Sequence, residues 1–168
     1  MTGAPGDGRV LAVVQARMGS TRLPGKVLAP LGDSTVLGLL LTRLSRSTAL
    51  DGVVVATTVL DEDDAVAAEA ARFGAEVVRG SVADVLGRFA LALDRFDPSV
   101  VVRLTADCPL VDPTLVDGAA GPVIAGLADV VTTGSETYLR GFDVEAVRAD
   151  ALRRAAAEAT DVVDRVHV

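Results

Sequence analysis

The chain has 168 residues, 50% of them hydrophobic and 23% charged, with a formal net charge of −7. That is enough for one domain with its own core, but the acidic balance excludes a broad basic face for nucleic acid and leaves only a few cations around a small phosphate-bearing ligand. The single cysteine, Cys108, excludes an intrachain disulfide and a multi-thiolate zinc site; this fits a reducing, cytoplasmic compartment, and no apolar run approaches the roughly 18 residues of a membrane span.

In chain order, Met1 to Gly8 reads as a flexible lead-in, and residues 9–168 as one domain. Val10 to Val14 is a continuous apolar run, the pattern of a strand buried on both faces. Helical spacing follows over Ser34 to Ser47. Gly52 to Thr57 is a second buried strand, Asp63 to Phe73 an Ala-rich helix stopped by Gly74, and Ala75 to Arg79 a third strand. Ser81 is read as the cap of a helix reaching Phe96. Ser99 to Leu104 is a fourth strand. Pro113 to Leu127 is read as a helix broken or kinked at Gly121-Pro122. Asp129 to Thr133 is a fifth strand, Phe142 to Val147 a sixth, and Asp150 to Ala159 a last helix. Strands alternating with helices predict an α/β, Rossmann-like three-layer sandwich with a mostly parallel sheet. Ligands in such sheets bind beyond the carboxyl ends of the strands.

The loop after the first strand is therefore the first place to look. Gln15-Ala16-Arg17-Met18-Gly19-Ser20-Thr21-Arg22-Leu23-Pro24-Gly25-Lys26 carries three cations, two glycines and two hydroxyls in twelve positions. The glycines let backbone approach an anion, and Arg17, Arg22 and Lys26 suit a triphosphate. Lys26 is the only lysine beside fifteen arginines, which points to a need for a compact ammonium there. Five residues separate Gly19 from Gly25 and Val27 follows Lys26, so the loop is not a Walker A loop; G-x-G-x-x-G is absent as well.

The stretch Gln15 to Leu28, QARMGSTRLPGKVL, resembles the nucleotide-binding loop of the cytidylyltransferases similar to spore coat polysaccharide biosynthesis protein F. These are relatives of the acylneuraminate and deoxyoctulosonate cytidylyltransferases. The resemblance extends over Val54 to Thr57, Arg79-Gly80-Ser81 with Asp84-Val85-Leu86, Arg103 to Pro113, Gly141 to Glu145 and Asp164 to Val168. It implies the nucleotide-diphospho-sugar transferase type of fold and transfer of a nucleotidyl group from CTP to a sugar, an acidic one by the same route, with release of pyrophosphate for surface polysaccharide or glycan synthesis. It implies nucleotide contacts at Gln15, Ala16, Arg17, Met18, Gly19, Ser20, Arg22, Lys26, Arg79, Ser81, Arg103 and Thr105. Arg17, Lys26 and Asp107 carry the catalytic expectation, with backbone N–H groups around Met18 to Ser20 cradling phosphates. A homodimer is a further expectation. Relatives continue past the motif that ends at Val168, so a remainder completing the sugar pocket is expected beyond this chain. Val166 stands where the resemblance implies an acidic residue.

Asp107 follows the fourth strand directly, where a carboxylate facing a cationic loop is placed to hold Mg²⁺ on phosphate oxygens; the resemblance assigns the same role. Asp143 and Glu145 alternate, so on a strand both face one side; the resemblance implies Asp143 for metal and Glu145 for sugar. Cys108 reads as a packed small residue. Asp61-Glu62-Asp63-Asp64 contains an Asp-x-Asp pair, as metal-binding glycosyltransferases do, although acidic residues at a helix N-terminus are explained by the helix dipole alone. Two rival classes follow: a glycosyltransferase of similar build, and a domain that binds nucleotide without turnover.

Overall fold

The computed structural model describes residues 8–20, 22–133 and 139–166. The lead-in expected at Met1 to Gly8 lies, apart from Gly8, outside the described residues, as do Thr21 and the last two residues of the C-terminal motif. In chain order the elements are β1 (Val10–Gln15), β2 (Pro30–Leu31), β3 (Ser34–Thr35), α1 (Val36–Leu44), β4 (Gly52–Thr58), α2 (Asp64–Arg72), β5 (Glu76–Gly80), α3 (Val85–Phe96), β6 (Val100–Thr105), α4 (Pro113–Ile124), β7 (Val130–Thr132), β8 (Glu145–Arg148), α5 (Ala149–Glu158) and α6 (Val162–Val166). Short 3₁₀ turns occupy Lys26–Leu28 and Asp61–Asp63.

Six strands form one sheet in the order β5-β4-β1-β6-β8-β7. β1 is central and parallel to both neighbours, with Gln15 opposite Ala56 on β4 and Thr105 on β6. β5 continues the parallel set beyond β4. β8 runs antiparallel to β6 and to β7, so the sheet is mostly parallel, as the alternation of strands and helices predicts. β2 and β3 make a separate two-stranded ribbon.

The layers follow from strand periodicity. Val10, Ala12 and Val14 face a layer built by α1, α2 and α4, through Leu37, Leu40, Leu41, Val66, Ala70, Val116 and Ala120. Leu11 and Val13 face the opposite layer of α3 and α5, through Leu86, Phe89, Leu93 and Leu152. Both faces are covered, which is why the β1 run is apolar without alternation.

Four expectations about element boundaries change for identifiable reasons. The first helix starts at Val36 rather than Ser34, because Thr35 is its cap, its Oγ1 accepting from Gly38 N–H at 2.9 Å. The cap of α3 is Asp84, not Ser81. Its Oδ1 accepts from Gly87 N–H at 2.8 Å, while the Ser81 hydroxyl accepts from Ala83 N–H. α4 passes through Gly121-Pro122 without ending there, and Pro122 lies inside it. A proline disfavours helix in the preceding residue by crowding that residue's Cβ; Gly121 has none. The sixth strand begins at Glu145, not Phe142, because Val144 instead exchanges bonds with Thr133.

No helix among the described residues is long and apolar enough to cross a membrane. Phe89 is the largest fully buried side chain among the described residues. Phe89→Ala should lower stability by about 3–5 kcal/mol, a fall in Tm of roughly 10 °C in a thermal melt; a Tm within about 2 °C of wild type would contradict this packing.

Candidate functional site

The parallel register brings the carboxyl ends of β1, β4 and β6 level, and the loop after β1 folds back upon itself at that edge. The Met18 carbonyl accepts both Ser20 N–H at 2.8 Å and Gly25 N–H at 2.9 Å. Gly25 has φ 72°, a left-handed conformation that glycine takes without strain, and a Cβ there would lie 3.3 Å from Met18 Cε. The chain then enters the 3₁₀ turn Lys26–Leu28, which carries Lys26 back toward β6.

What fixes this loop is Asp63. Its side chain is fully buried; Oδ1 accepts from Met18 N–H at 2.7 Å, and Oδ2 accepts from the hydroxyl of Thr58 at the end of β4. Asp63 therefore does not serve as half of an Asp-x-Asp metal pair: both its oxygens are engaged within the fold, while Asp61 is exposed. Among the described residues no group of three or more His, Cys, Asp or Glu side chains is gathered as for a metal. The Met18 and Ser20 N–H groups, expected to cradle phosphate, are bonded to Asp63 and to the Met18 carbonyl instead.

Between this loop, α3 and the end of β6 lies a cleft of about 540 Å³. Gln15, Ala16, Arg17, Ser20, Arg22 and Lys26 line it from the loop, and Thr105, Ala106 and Asp107 from β6. Val82, Ala83, Val85 and Arg88 form the facing wall, and Val166 of α6 closes one side. Its charged lining is four cations (Arg17, Arg22, Lys26, Arg88) against one carboxylate, Asp107, in a chain of net charge −7. Such a concentration of one sign in a concave site focuses a field that attracts anions.

Lys26 Nζ donates to Asp107 Oδ2 at 2.5 Å. Burial pushes the Asp107 carboxyl up, but hydrogen bonds from Lys26 and Thr105 and the Lys26 charge outweigh it, so the group lies below the ordinary carboxylate range. Cys108 beside it is buried. Burial raises its thiol pKa, and the Asp107 and Asp143 charges raise it further, so it is no activated nucleophile.

Asp143 belongs to a second cavity of about 410 Å³, lined also by Arg103, Thr105, Thr132, Thr133 and Glu145. Thr105 borders both cavities. Arg103 and Glu145 are cross-strand partners on β6 and β8, and Arg103 Nη1 donates to Glu145 Oε2 at 2.9 Å. Arg103 therefore lines this second cavity, not the main cleft. Asp143 accepts from Gly141 N–H at 3.1 Å.

Met18, Gly19, Arg79 and Ser81 are not among the lining residues of the main cleft. Arg79 instead clamps the fold: its Nε donates to Thr58 O, its Nη2 to Leu60 O and its Nη1 to Asp64, at 2.8, 2.9 and 2.5 Å. Ser81 contributes its carbonyl, which accepts from Arg88 Nη1 at 2.5 Å. Arg88 has no role in the sequence reading, and Asp63 enters it only as part of an Asp-x-Asp pair or a helix N-terminus. Arg88 was detectable, because it falls within the apolar stripe Val85, Leu86, Phe89, Ala92, Leu93 of α3, where a cation is out of place. The tethering role of Asp63 gave no signal, since its partners lie 45 and 5 residues away.

A family model described as "Cytidylyltransferase" matches residues 11–158. An uncharacterized protein of Methanocaldococcus jannaschii is 38% identical over 160 residues, 95% of this chain and 65% of its own length. Spore coat polysaccharide biosynthesis protein SpsF of Bacillus subtilis is 46% identical over 112 residues, 64% of this chain and 47% of its own. The chain thus spans about half to two thirds of these curated relatives. The solved structure of a cytidylyltransferase from Leptospira borgpetersenii superposes with a TM-score of 0.90 at 36% identity, covering 95% of this chain and 68% of that one.

Two outcomes are expected from this geometry. Asp63→Ala leaves the buried Thr58 hydroxyl and Met18 N–H unpaired, lowering stability by about 2 kcal/mol or more; amide hydrogen exchange at Met18 should accelerate, and unchanged exchange would contradict the tether. Asp107 has a folded pKa below its unfolded one, so its contribution to stability is present above about pH 4 and lost as pH falls through the folded value. Urea unfolding from pH 6 to pH 3 should show a shallower acid loss in Asp107→Asn than in wild type; parallel curves would show that the Lys26 pair contributes nothing.

Proposed function

The chain belongs to the cytidylyltransferase family, and from that premise we propose that it activates a sugar by transferring CMP to it from CTP, releasing pyrophosphate. The observation that supports this reading most is the main cleft itself: four cations against one carboxylate, beside a second cavity of hydroxyls and carboxylates. The first suits a triphosphate and the second a polyol, and Thr105 lies at their junction. The acidic character of the sugar, its role in surface polysaccharide, a homodimer and a cytoplasmic setting belong to the same proposal and rest on resemblance.

In this reading a sugar hydroxyl attacks the α-phosphorus. A bond forms from the sugar oxygen to phosphorus, the bond to the oxygen bridging the β-phosphate breaks, and the hydroxyl proton leaves to solvent. Charge grows on the α-phosphoryl oxygens and on the leaving pyrophosphate. Catalysis then consists mainly of positioning and charge stabilisation. Arg17 and Lys26 stabilise the α-phosphoryl oxygens; Arg22 and Ser20 line the run of the phosphates, and Gln15 and Ala16 border the nucleoside. Asp107 holds Lys26 in place. Arg103 orients Glu145 toward the sugar hydroxyls.

Asp107 and Asp143 fit a divalent cation. They line two cavities that share Thr105, and magnesium is commonly held by one or two carboxylates with waters and substrate phosphates completing its shell. When bound there, Mg²⁺ would neutralise phosphate charge. A glycosyltransferase reading through Asp61 and Asp63 has no support, given the engagement of Asp63 within the fold.

Pyrophosphate release with each of the four nucleoside triphosphates, in Mg²⁺, over a panel of acidic and neutral sugars tests the reaction. Release with CTP and one sugar is expected, reduced about a hundredfold, or about 3 kcal/mol, in Lys26→Ala and in Asp107→Ala. CTP binding without release across the panel would make the chain a nucleotide binder rather than an enzyme.

A further inference from the structure

Arg88 sits on α3 with its side chain 3% exposed, yet it lines the main cleft. Half of its guanidinium is anchored: Nη1 donates to Ser81 O at 2.5 Å and reaches Val82 O at 3.4 Å. Its Nε is buried and has no hydrogen-bond partner among the described residues. Its stem lies close over Gly80, where a Cβ would come within 2.9 Å of Arg88 Cγ. Arg79, by contrast, has donors bonded from Nε, Nη1 and Nη2.

The carboxylates whose charges reach Arg88 are Asp63 and Asp84, and neither is available to it. Asp63 is bonded to Met18 and Thr58. Asp84 caps α3 and takes a two-pronged contact from Arg165 of α6, at 3.1 and 2.8 Å. The remaining charged neighbour is repulsive: after burial itself, the Arg17 charge is what most disfavours a proton on Arg88. A buried cation with no ion-pair partner among the described residues, lining a cleft with a second cation, is unfavourable unless an anion enters between them. Buried polar groups without partners are rare and mark places where something else supplies the bond.

We propose that Arg88 is a nucleotide-binding residue that, together with Arg17, takes an anionic phosphate oxygen of the bound nucleoside triphosphate. This rests on the reading of the cleft as a triphosphate site and adds to it a residue on the opposite wall from the loop. Phosphate fits better than a base carbonyl, because a full negative charge relieves both the burial of Arg88 and its repulsion with Arg17, whereas a neutral carbonyl relieves neither. The anchored guanidinium is already oriented, so little side-chain freedom is lost when the anion arrives.

The test is calorimetric titration of wild type, Arg88→Met and Arg88→Lys with CTP, with inorganic tripolyphosphate and with cytidine, alongside thermal melts of each protein without ligand. Arg88→Met keeps the apolar stem and removes the charge. It should weaken CTP and tripolyphosphate about 10- to 100-fold and leave cytidine unaffected, with the Tm of the ligand-free protein unchanged or raised because an uncompensated buried charge is gone. Arg88→Lys should recover part of the loss. Unchanged affinity for both phosphate ligands overturns the inference, and so does an equal loss for cytidine, which would assign Arg88 to the base or to the wall as a whole. Should Arg88→Met fail to fold, the Arg88 Nε–H resonance of the wild type decides: it should shift with tripolyphosphate and not with cytidine, and no shift overturns the proposal. A wild type that binds neither CTP nor tripolyphosphate ends the triphosphate reading and this inference together; wild-type binding with an indifferent Arg88→Met ends this inference alone.

Discussion

Strand β1 has no face toward water. Its odd and even residues enter two different cores, and its edges are both bonded, to β4 and to β6. A strand held on all four sides cannot slip in register, because a shift of one residue would exchange the two apolar faces and break both ladders. The residues that leave β1 therefore start from a fixed point. The loop that follows inherits that fixity, and so does the end of β6, which lies level with it. The alignment of Lys26 with Asp107, 81 residues apart, depends on this register.

The loop needs one more constraint, because it carries three cations and has little apolar surface of its own. Asp63 supplies it from the far side of β4, bonded to Met18 in the loop and to Thr58 on the strand. A buried carboxylate is tolerated where its oxygens are bonded, and here those bonds join two segments that no ladder connects. The acidic residue that resembles a metal ligand in sequence is thus a fastening for the loop beside the cleft.

Charge around the two cavities is partly balanced within the protein. Lys26 is bonded to Asp107, and Arg103 to Glu145. On the α3 wall Asp84 is bonded to Arg165, which also donates to the Ala156 and Ala159 carbonyls and so brings α6, with Val166, to the rim of the cleft. Arg17, Arg22 and Arg88 have no ion pair among the described residues. Three cations without an ion pair among the described residues therefore line one cleft beside a single carboxylate, Asp107.

The sequence by itself determined the class of fold, because double burial writes unbroken apolar runs into parallel strands, and helical periodicity between them leaves few other arrangements. It also marked the loop Gln15 to Lys26, since cations, glycines and hydroxyls are dense there and the loop follows the first strand. Local rules failed where a neighbour in space replaced a neighbour in sequence. Ser81 lost the cap of α3 to Asp84, and Gly121 let a proline stay within α4. Only the tertiary structure decided which charged side chains meet. Arg79 was drawn into bonds with Thr58, Leu60 and Asp64, Asp63 into the loop, and Arg103 into a pair with Glu145, because hydrogen bonds and ion pairs act over a few ångströms of space. Separations of 15 to 81 residues along the chain, as in Asp64–Arg79 and Lys26–Asp107, are closed by the sheet register, and that register is not written at either residue.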